Sequence, residues 1–395
     1  MSGGGGSPPC LVVTLDRLPA WILPAYGSTW VAMPAVDALA GRGLLFDRLI
    51  ATGDDDLATL RDLGFAGLGT AAVVVTDAPS VAAAAEAAGA EVRLVAAAAR
   101  ATPATDAAAT QLARLMAAAR DAVAAGRHAV VWVHAASLGV VWDAPAELRE
   151  AYADPDDPAP YGGAAVPQWA VHADTDPDLV VGVRQAFAGQ LTHLDACLGP
   201  LVAAAAGWHV LVAGVRGIGL GIHGQVGGGP LPPFGELVHV PAILADATGR
   251  MAAQRYGGLV VPADLGATLA ALRGAAAAAG LADASVPGAL LPDAPWHGRS
   301  LTGLLDDWSA PPRDRVVVAT AGGGALVTPD WHVVAEAGRP PRLYHKPDDA
   351  FELCDVADRC PAVVEELGPL ALAAATGDVG RGWQAPFAAA PLGGR

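Results

Sequence analysis

The chain has 395 residues, a formal net charge of −16 at pH 7, 53% hydrophobic residues and a mean hydropathy of +0.38. The negative charge argues against nucleic acid and anionic lipid as partners, because both require a basic face. Much of the hydropathy comes from alanine runs such as residues 81–90, and no window offers the roughly 20 lipid-facing residues of a membrane span. These properties exclude nucleic-acid-binding and membrane-spanning proteins and favour alanine-rich helices packed on a sheet.

The first ten residues and the cysteines bear on location and redox state. The opening "MSGGGGSPPC" lacks the basic start and apolar core of a secretion signal, so we expect a cytoplasmic protein. The spacing of the four cysteines fits neither a zinc site nor a disulfide framework. We therefore expect reduced thiols, with two of them, Cys10 and Cys197, buried.

In chain order, apolar β-branched runs alternate with helical patterns over the first 274 residues. Strands are predicted at 10–15, 44–50, 71–76, 91–96, 128–134, 209–213 and 239–245. Helices are predicted at 33–43, 79–89, 105–126, 176–207 and 261–274. Repeated strand–helix–strand units of this kind predict an α/β fold with a doubly wound, mostly parallel sheet flanked by helices.

The pattern changes in the last quarter of the chain. Residues 314–336 and 342–346 indicate antiparallel strands with glycine turns, and a last helix is predicted near 361–375. We predict an α/β domain at 1–310, a small C-terminal α+β subdomain with an antiparallel sheet at 311–376, and a flexible tail at 377–395. Residues 154–176 are rich in proline and glycine and indicate a loop.

Several segments, in the same order, resemble the sulfatase family of the alkaline phosphatase superfamily. The segment 11–48, "LVVTLDRLPAWILPAYG…GLLFDR", is similar to the family's opening, in which a strand ends in paired aspartates. The stretch "RQAFAGQLTHLDACLGPLV" resembles a long family helix, and "PFGELVHVPAILADATG" resembles a later strand. "WHGRSLTGLL" and "LYHKPDDAFELCDVADRCPAVVEEL" are similar to the family's closing segments. The resemblance implies an alkaline phosphatase-like fold over most of the chain.

The residues that the family uses for chemistry are largely replaced in this sequence. The resemblance places the first pair of metal ligands at Asp16 and Arg17, and the second pair at Val215 and Arg216. The nucleophile position falls near Asp56, where the sequence has no cysteine or serine. The substrate-facing histidine falls near Gly139, and the only lysine lies far downstream. A divalent cation needs several oxygen ligands, so the resemblance implies that no metal cofactor is bound.

Two interpretations of the arginines remain open at the level of sequence. Arg17 and Arg216 could form internal salt bridges with Asp16 and with the acidic run 54–56, or they could bind a small anion such as sulfate or phosphate. The acidic run itself could cap a helix or contribute to a new metal cluster. Capping is the better explanation, because the side chains of consecutive aspartates diverge.

We therefore expect a sulfatase-like pseudoenzyme, acting as a binding or scaffolding module with an arginine-lined anion pocket. A protein partner or an active paralogue is a further candidate ligand. The alternative is an active sulfuric or phosphoric ester hydrolase with calcium or magnesium on Asp16 and one aspartate of the run 54–56. Its candidate catalytic residues would be two hydroxyls and two histidines: Thr52, Thr59, His134 and His223.

Overall fold

The computed structural model describes residues 7–97, 100–274, 298–305 and 313–377. The predicted domain boundary near 310 and nearly all of the predicted tail lie outside these ranges. The strands are β1 Cys10–Asp16, β2 Leu44–Ile50, β3 Ala72–Thr76, β4 Glu91–Leu94, β5 Val130–Ala135, β6 Trp169–Ala170, β7 His209–Arg216, β8 Gly219–Leu220, β9 Gln225–Gly227, β10 His239–Ala245, β11 Gln254–Val260, β12 Val316–Thr320, β13 Gly323–Val327, β14 Trp331–Ala335 and β15 Arg342–His345.

Helices lie between most of these strands. They are α1 Pro34–Gly41, α2 Asp56–Asp62, α3 Pro79–Ala87, α4 Gln111–Ala125, α5 Ala146–Glu150, α6 Pro177–Ala204, α7 Gly235–Val238, α8 Pro262–Leu272 and α9 Pro361–Thr376. Short 3₁₀ turns occur at Ala20–Ile22, Pro24–Tyr26, Phe65–Gly67, Gly69–Ala71, Ala107–Ala109, Ser137–Gly139 and Thr302–Leu305. None of the helices in the described ranges is long and apolar enough to cross a membrane.

The main sheet has eight strands in the order β11-β2-β10-β7-β1-β5-β3-β4. All neighbouring pairs are parallel except the two made by β10, which runs antiparallel to both β2 and β7. The sheet is therefore mixed but mostly parallel, and the predicted α/β fold class is confirmed. The strand at 239–245 was predicted, but its antiparallel direction was not, because no pattern in its own residues indicates strand direction.

Both faces of this sheet are covered, which explains why its strands are almost continuously apolar. On β1, Leu11, Val13 and Leu15 belong to the core on one face of the sheet. The alternate residues Cys10 and Val12 belong to the core on the other face. Thr14 and Asp16 continue this second face toward the carboxyl end of the strand.

A second, four-stranded antiparallel sheet forms the C-terminal subdomain, in the order β12-β13-β14-β15. Helix α9 packs on it through Leu367, Ala371 and Ala374. The other side of the sheet joins the main domain, where Val316 and Val318 share an apolar cluster that also includes Leu231, Leu259 and Val261. This arrangement holds the subdomain against the edge of the main sheet where β2 and β11 lie.

The sequence predictions differ in four details from the structure. Helix α4 begins at Gln111 rather than at 105, because the Thr110 hydroxyl accepts a hydrogen bond from the Ala113 N–H and caps the helix. Strand β4 ends at Leu94, two residues earlier than predicted, and β11 was not predicted, since Gly257 and Gly258 interrupt its pattern. Cys197 is half-buried rather than buried, whereas Cys10 is buried as expected.

Candidate functional site

The carboxyl ends of β1 and β7 bring the first candidate residues together. The two strands pair in parallel, and the register shifts between Leu15 and Asp16, so that Asp16 lies opposite Arg216. Parallel strands end at the same edge of a sheet, and ligands of α/β proteins bind outside that edge. The β1–β7 edge is thus the geometric equivalent of an active-site cleft.

Asp16 and Arg216 form a two-pronged ion pair across this edge. The Arg216 Nε donates to Asp16 Oδ1 at 2.8 Å, and Arg216 Nη2 donates to Oδ2 at 3.1 Å. The Arg216 Nη1 also donates to the main-chain carbonyl of Asp54. Although burial lowers the pKa of Arg216, its hydrogen bonds with Asp16 and the negative charge of Asp16 outweigh burial and raise it. Both oxygens of the buried Asp16 carboxylate are therefore occupied by a guanidinium.

Arg17 lies beside the same carboxylate but is bound much less tightly. Its Nε is 3.8 Å from Asp16 Oδ2, and within the described chain its guanidinium donates no hydrogen bond to a protein acceptor. The side chain is only 20% exposed. Burial lowers the pKa of Arg17, and Asp16 opposes that shift while Arg216 adds to it. The cleft thus contains a partly buried cation whose donors are unused.

The backbone at Arg17 has a left-handed conformation, with φ of 63°. An L-residue in this region costs about 1–2 kcal/mol, and such strain is concentrated at functional sites. The side chain fits because two glycines leave room for it. A Cβ at Gly139 would lie 2.8 Å from Arg17 Cγ, and a Cβ at Gly228 would lie 3.2 Å from Arg17 Nη2.

Comparison with solved structures identifies the architecture. The chain superposes on a phosphonate monoester hydrolase of Agrobacterium radiobacter with a TM-score of 0.69 at 18% identity, covering 94% of this chain and 96% of that one. A 2-O GAG sulfatase gives 0.66 at 15% identity, covering 91% and 90%. A phosphonate monoester hydrolase from Silicibacter pomeroyi gives 0.65 at 16% identity, covering 92% and 93%.

The chain has the sulfatase fold. The resemblance inferred from the ordered sequence segments is confirmed at the level of the fold. At these sequence identities, the comparison supports a shared fold and says nothing about a shared activity. No sequence profile of a known family matches the chain, and no curated protein sequence matches it.

The sulfatase fold implies a divalent metal at this cleft, and the residues present do not fit one. Asp16 is saturated by Arg216, Arg17 adds positive charge, and Val215 is fully buried in an apolar cluster. No group of three or more His, Cys, Asp or Glu side chains in the described segments is arranged to hold a metal ion. A hard cation needs several oxygen ligands, and the one buried carboxylate here is already paired with a guanidinium.

The acidic run 54–56 lies at the start of α2 and faces this cleft. Asp55 caps the helix by accepting from the N–H groups of Leu57 at 2.9 Å and Ala58 at 3.3 Å, which confirms the capping interpretation. The Asp54 and Asp56 charges raise the pKa of Arg17 through space. The cleft therefore has carboxylates beside its two arginines.

The two candidate hydroxyl nucleophiles are poorly placed for attack. Thr59 is buried, and its hydroxyl donates to the Asp55 carbonyl at 3.2 Å within the helix. Thr52 is buried beside the second sheet, where its carbonyl accepts the Ala319 N–H at 3.0 Å. Within the described ranges, neither makes a hydrogen bond to a histidine that could remove its proton.

The two candidate histidines belong to different environments. His134 is completely buried below Asp16, and its Nδ1 is 3.1 Å from the Thr14 hydroxyl. Burial lowers the pKa of His134, while the negative charges of Asp16 and Asp77 oppose that shift. His223 stacks on Phe234 with ring centroids 3.6 Å apart and pairs with a glutamate. Neither imidazole is positioned to protonate a leaving group beside Asp16.

The glutamates that organise the rim of the cleft were missed from the sequence. Glu236 and Glu352 are buried, and each accepts hydrogen bonds from main-chain N–H groups. A sequence signal existed in Glu352, which follows the only lysine within the closing segment that resembles the sulfatase family. Nothing in that segment indicated that Glu352 lies near the cleft.

Proposed function

We propose that this protein is a non-catalytic sulfatase-fold binding module, and that Arg17 binds a small oxyanion such as sulfate or phosphate. The observation that carries the proposal is the Arg17 guanidinium, partly buried and, among the described residues, without a hydrogen-bond acceptor. Guanidinium groups present planar donors that match the oxygens of sulfate and phosphate. An anion at this point would satisfy donors that the protein itself leaves unused.

The two arginines differ in how many of their donors are hydrogen-bonded within the protein, and this difference supports the assignment. Arg216 is held by Asp16 and by the Asp54 carbonyl, so its donors serve the fold. Arg17 shares Asp16 only at 3.8 Å and lies against the glycine backbone at residue 228. The ligand would therefore contact Arg17 directly, and Arg216 would contribute positive charge without contacting it.

The same residues argue against ester hydrolysis. Metal-assisted hydrolysis needs a carboxylate free to hold the cation and a nucleophile beside it. Asp16 is occupied by a guanidinium, and the carboxylate of Asp56 replaces the nucleophile.

Calorimetric titration with sodium sulfate and sodium phosphate tests the binding proposal. We expect a dissociation constant of about 1 mM for the unmodified protein. The variant Arg17→Met keeps the length and the backbone strain but removes the donors, and it should weaken binding at least about tenfold. A matched control is Arg93→Met on β4, which removes the same charge far from the cleft and should leave binding unchanged. Equal binding by the protein and by Arg17→Met would overturn the proposal.

Elemental analysis and turnover assays test the absence of catalysis. We expect no stoichiometric calcium or magnesium in the purified protein, and no hydrolysis of nitrophenyl sulfate or nitrophenyl phosphate when either metal is added. Bound metal together with turnover that disappears in Asp16→Ala would establish the hydrolase alternative instead.

A further inference from the structure

The Arg17 pocket is bordered by a loop that we call the cleft loop, residues 217–235. This loop contains β8 and β9, and Gly228 follows β9 directly. A Cβ at Gly228 would lie 3.2 Å from Arg17 Nη2, so the loop backbone lies against the guanidinium. The position of this loop therefore decides how much room an anion has beside Arg17.

A buried carboxylate holds the first half of the cleft loop together. Glu236 accepts the Leu220 N–H at 3.2 Å and the His223 N–H at 3.2 Å. Its Oε1 is also 2.8 Å from His223 Nδ1. These contacts fix the β8–β9 hairpin and the imidazole at its turn.

Glu352 of the C-terminal subdomain contacts both ends of the segment that bears Gly228, one end through its carboxylate and the other through its main-chain carbonyl. Glu352 Oε2 accepts the Gly235 N–H at 2.8 Å, and the Glu352 carbonyl lies 3.3 Å from His223 Nε2. A Cβ at Gly235 would lie 2.8 Å from Glu352 Oε1, so the close approach requires glycine. Glu352 thus connects the hairpin turn and the far end of the loop.

Glu352 is itself rigidly held. Its Oε1 lies 3.0 Å from His332 Nδ1 and accepts from Lys346 Nζ, the only lysine in the chain. The side chain is buried, and the backbone has a φ of 50°. Burial alone would raise the pKa of Glu352, but His332 and Lys346 lower it to about 2. The carboxylate is therefore ionised and fixed across the neutral pH range.

The segment between Gly228 and Gly235 has restricted backbone freedom in its second part. It contains Pro230, Pro232 and Pro233, whose backbone φ angles are locked by their rings. Leu231 packs into the apolar cluster shared with β12 of the C-terminal subdomain. The prolines and this apolar contact therefore restrict the path of the loop from Gly235 back to Pro230.

We propose that Glu352 is a positioning residue that sets the place of the cleft loop against Arg17 and thereby the affinity of the anion pocket. This inference rests on the proposed anion binding by Arg17. Through Glu352, the small C-terminal subdomain takes part in binding without touching the ligand.

Sulfate titration of Glu352→Gln, performed well below its unfolding temperature, tests this role. Hydrogen bonds to a charged group are worth enough that their loss should weaken sulfate binding about tenfold. The matched control is Glu365→Gln, which removes an exposed charge on α9 of the same subdomain. It should bind sulfate within about twofold of the unmodified protein. A variant that is less stable but binds sulfate normally would overturn the inference, because a merely structural role lowers stability alone.

A second variant covers the case in which Glu352→Gln fails to fold. His223→Phe keeps the stacking on Phe234 but removes both imidazole contacts, and it should weaken sulfate binding in the same direction. Combining it with Gly228→Ala, which crowds Arg17 directly, should give less than the product of the two separate effects, because both act through the loop. Independent effects would contradict the inference. Absence of sulfate and phosphate binding in the unmodified protein would instead overturn the proposed function and, with it, this inference.

Discussion

The cleft at Asp16 and the cluster at Glu352 both contain a buried carboxylate, flanked by two guanidinium groups at Asp16 and by an ammonium group and an imidazole at Glu352. At Glu352, both neighbours contact the carboxylate directly, and a main-chain N–H completes its shell. At Asp16, Arg216 takes both oxygens and Arg17 remains at 3.8 Å. The Glu352 cluster therefore holds segments of the protein in place, whereas the Asp16 cluster keeps a cation whose donors are unused within the described chain.

The largest effect should come from breaking the saturated cluster. Glu352→Gln leaves Lys346 without its buried counter-charge, and such losses cost about 3–5 kcal/mol. Denaturant unfolding measures this loss. The control Glu336→Gln, whose partners are more exposed, should cost less than about 1 kcal/mol. Similar losses of unfolding free energy for the two variants would show that the Glu352 cluster stabilises the fold no more than a more exposed ion pair does.

Acidification should weaken the same cluster without a mutation. The Glu352 carboxyl has a pKa of about 2 in the folded protein and 4.5 as an ordinary glutamate. Its contribution is therefore complete above pH 4.5 and is lost as the pH falls toward 2, a difference of about 3 kcal/mol. Unfolding measured between pH 5 and pH 2 should be less steep in pH for Glu352→Gln than for the unmodified protein. Parallel curves would contradict the assignment.

Removing the saturating arginine of the cleft should have a somewhat smaller effect. Arg216→Met leaves the Asp16 carboxylate buried, although Arg17 can approach it, and we expect a loss of about 2–3 kcal/mol. Thermal or denaturant unfolding reports the change. Arg255→Met is the matched control, because Arg255 pairs with Asp47 at 2.7 Å on an exposed surface. That pair should be worth less than about 1 kcal/mol.

Replacing Arg17 should affect stability in the opposite direction from replacing Arg216. Arg17→Gly relieves the left-handed backbone and removes a partly buried charge, so stability should be kept or raised by about 1 kcal/mol. Sulfate binding should be lost in the same variant. A marked loss of stability would place Arg17 with Arg216 among the structural residues and would remove the contrast between them.

The smallest effect concerns the acidic neighbour of the pocket. Asp56 lies near both arginines and repels an anion, and a unit charge several ångströms away in a water-like medium is worth about 0.7 kcal/mol. Asp56→Asn should therefore tighten sulfate binding about threefold. Asp121→Asn, an exposed position on α4, should leave the affinity unchanged. Weaker binding by Asp56→Asn would mean that this carboxylate holds Arg17 in place rather than opposing the ligand.

Much of the fold followed from patterns that are local in the sequence. The continuous apolar runs of β1 and β7 and the caps at Asp55 and Asp176 predicted elements that the structure contains. The antiparallel direction of β10 and the existence of β11 did not follow. Strand direction depends on the path of the chain between elements, which the residues of the strand itself do not encode.

For the site, the sequence by itself determined which residue types stand at the strand ends: one aspartate, two arginines and a valine. That composition already disfavours a divalent metal, because charge and ligand type are properties of the residues alone. Only the tertiary structure decided which of the two arginines forms the close ion pair with Asp16. The register shift after Leu15 sets Asp16 against Arg216, and the left-handed backbone of Arg17 keeps its guanidinium apart. Likewise, only folding brings Glu352 to the cleft loop, since contacts between distant segments arise from packing rather than from local pattern.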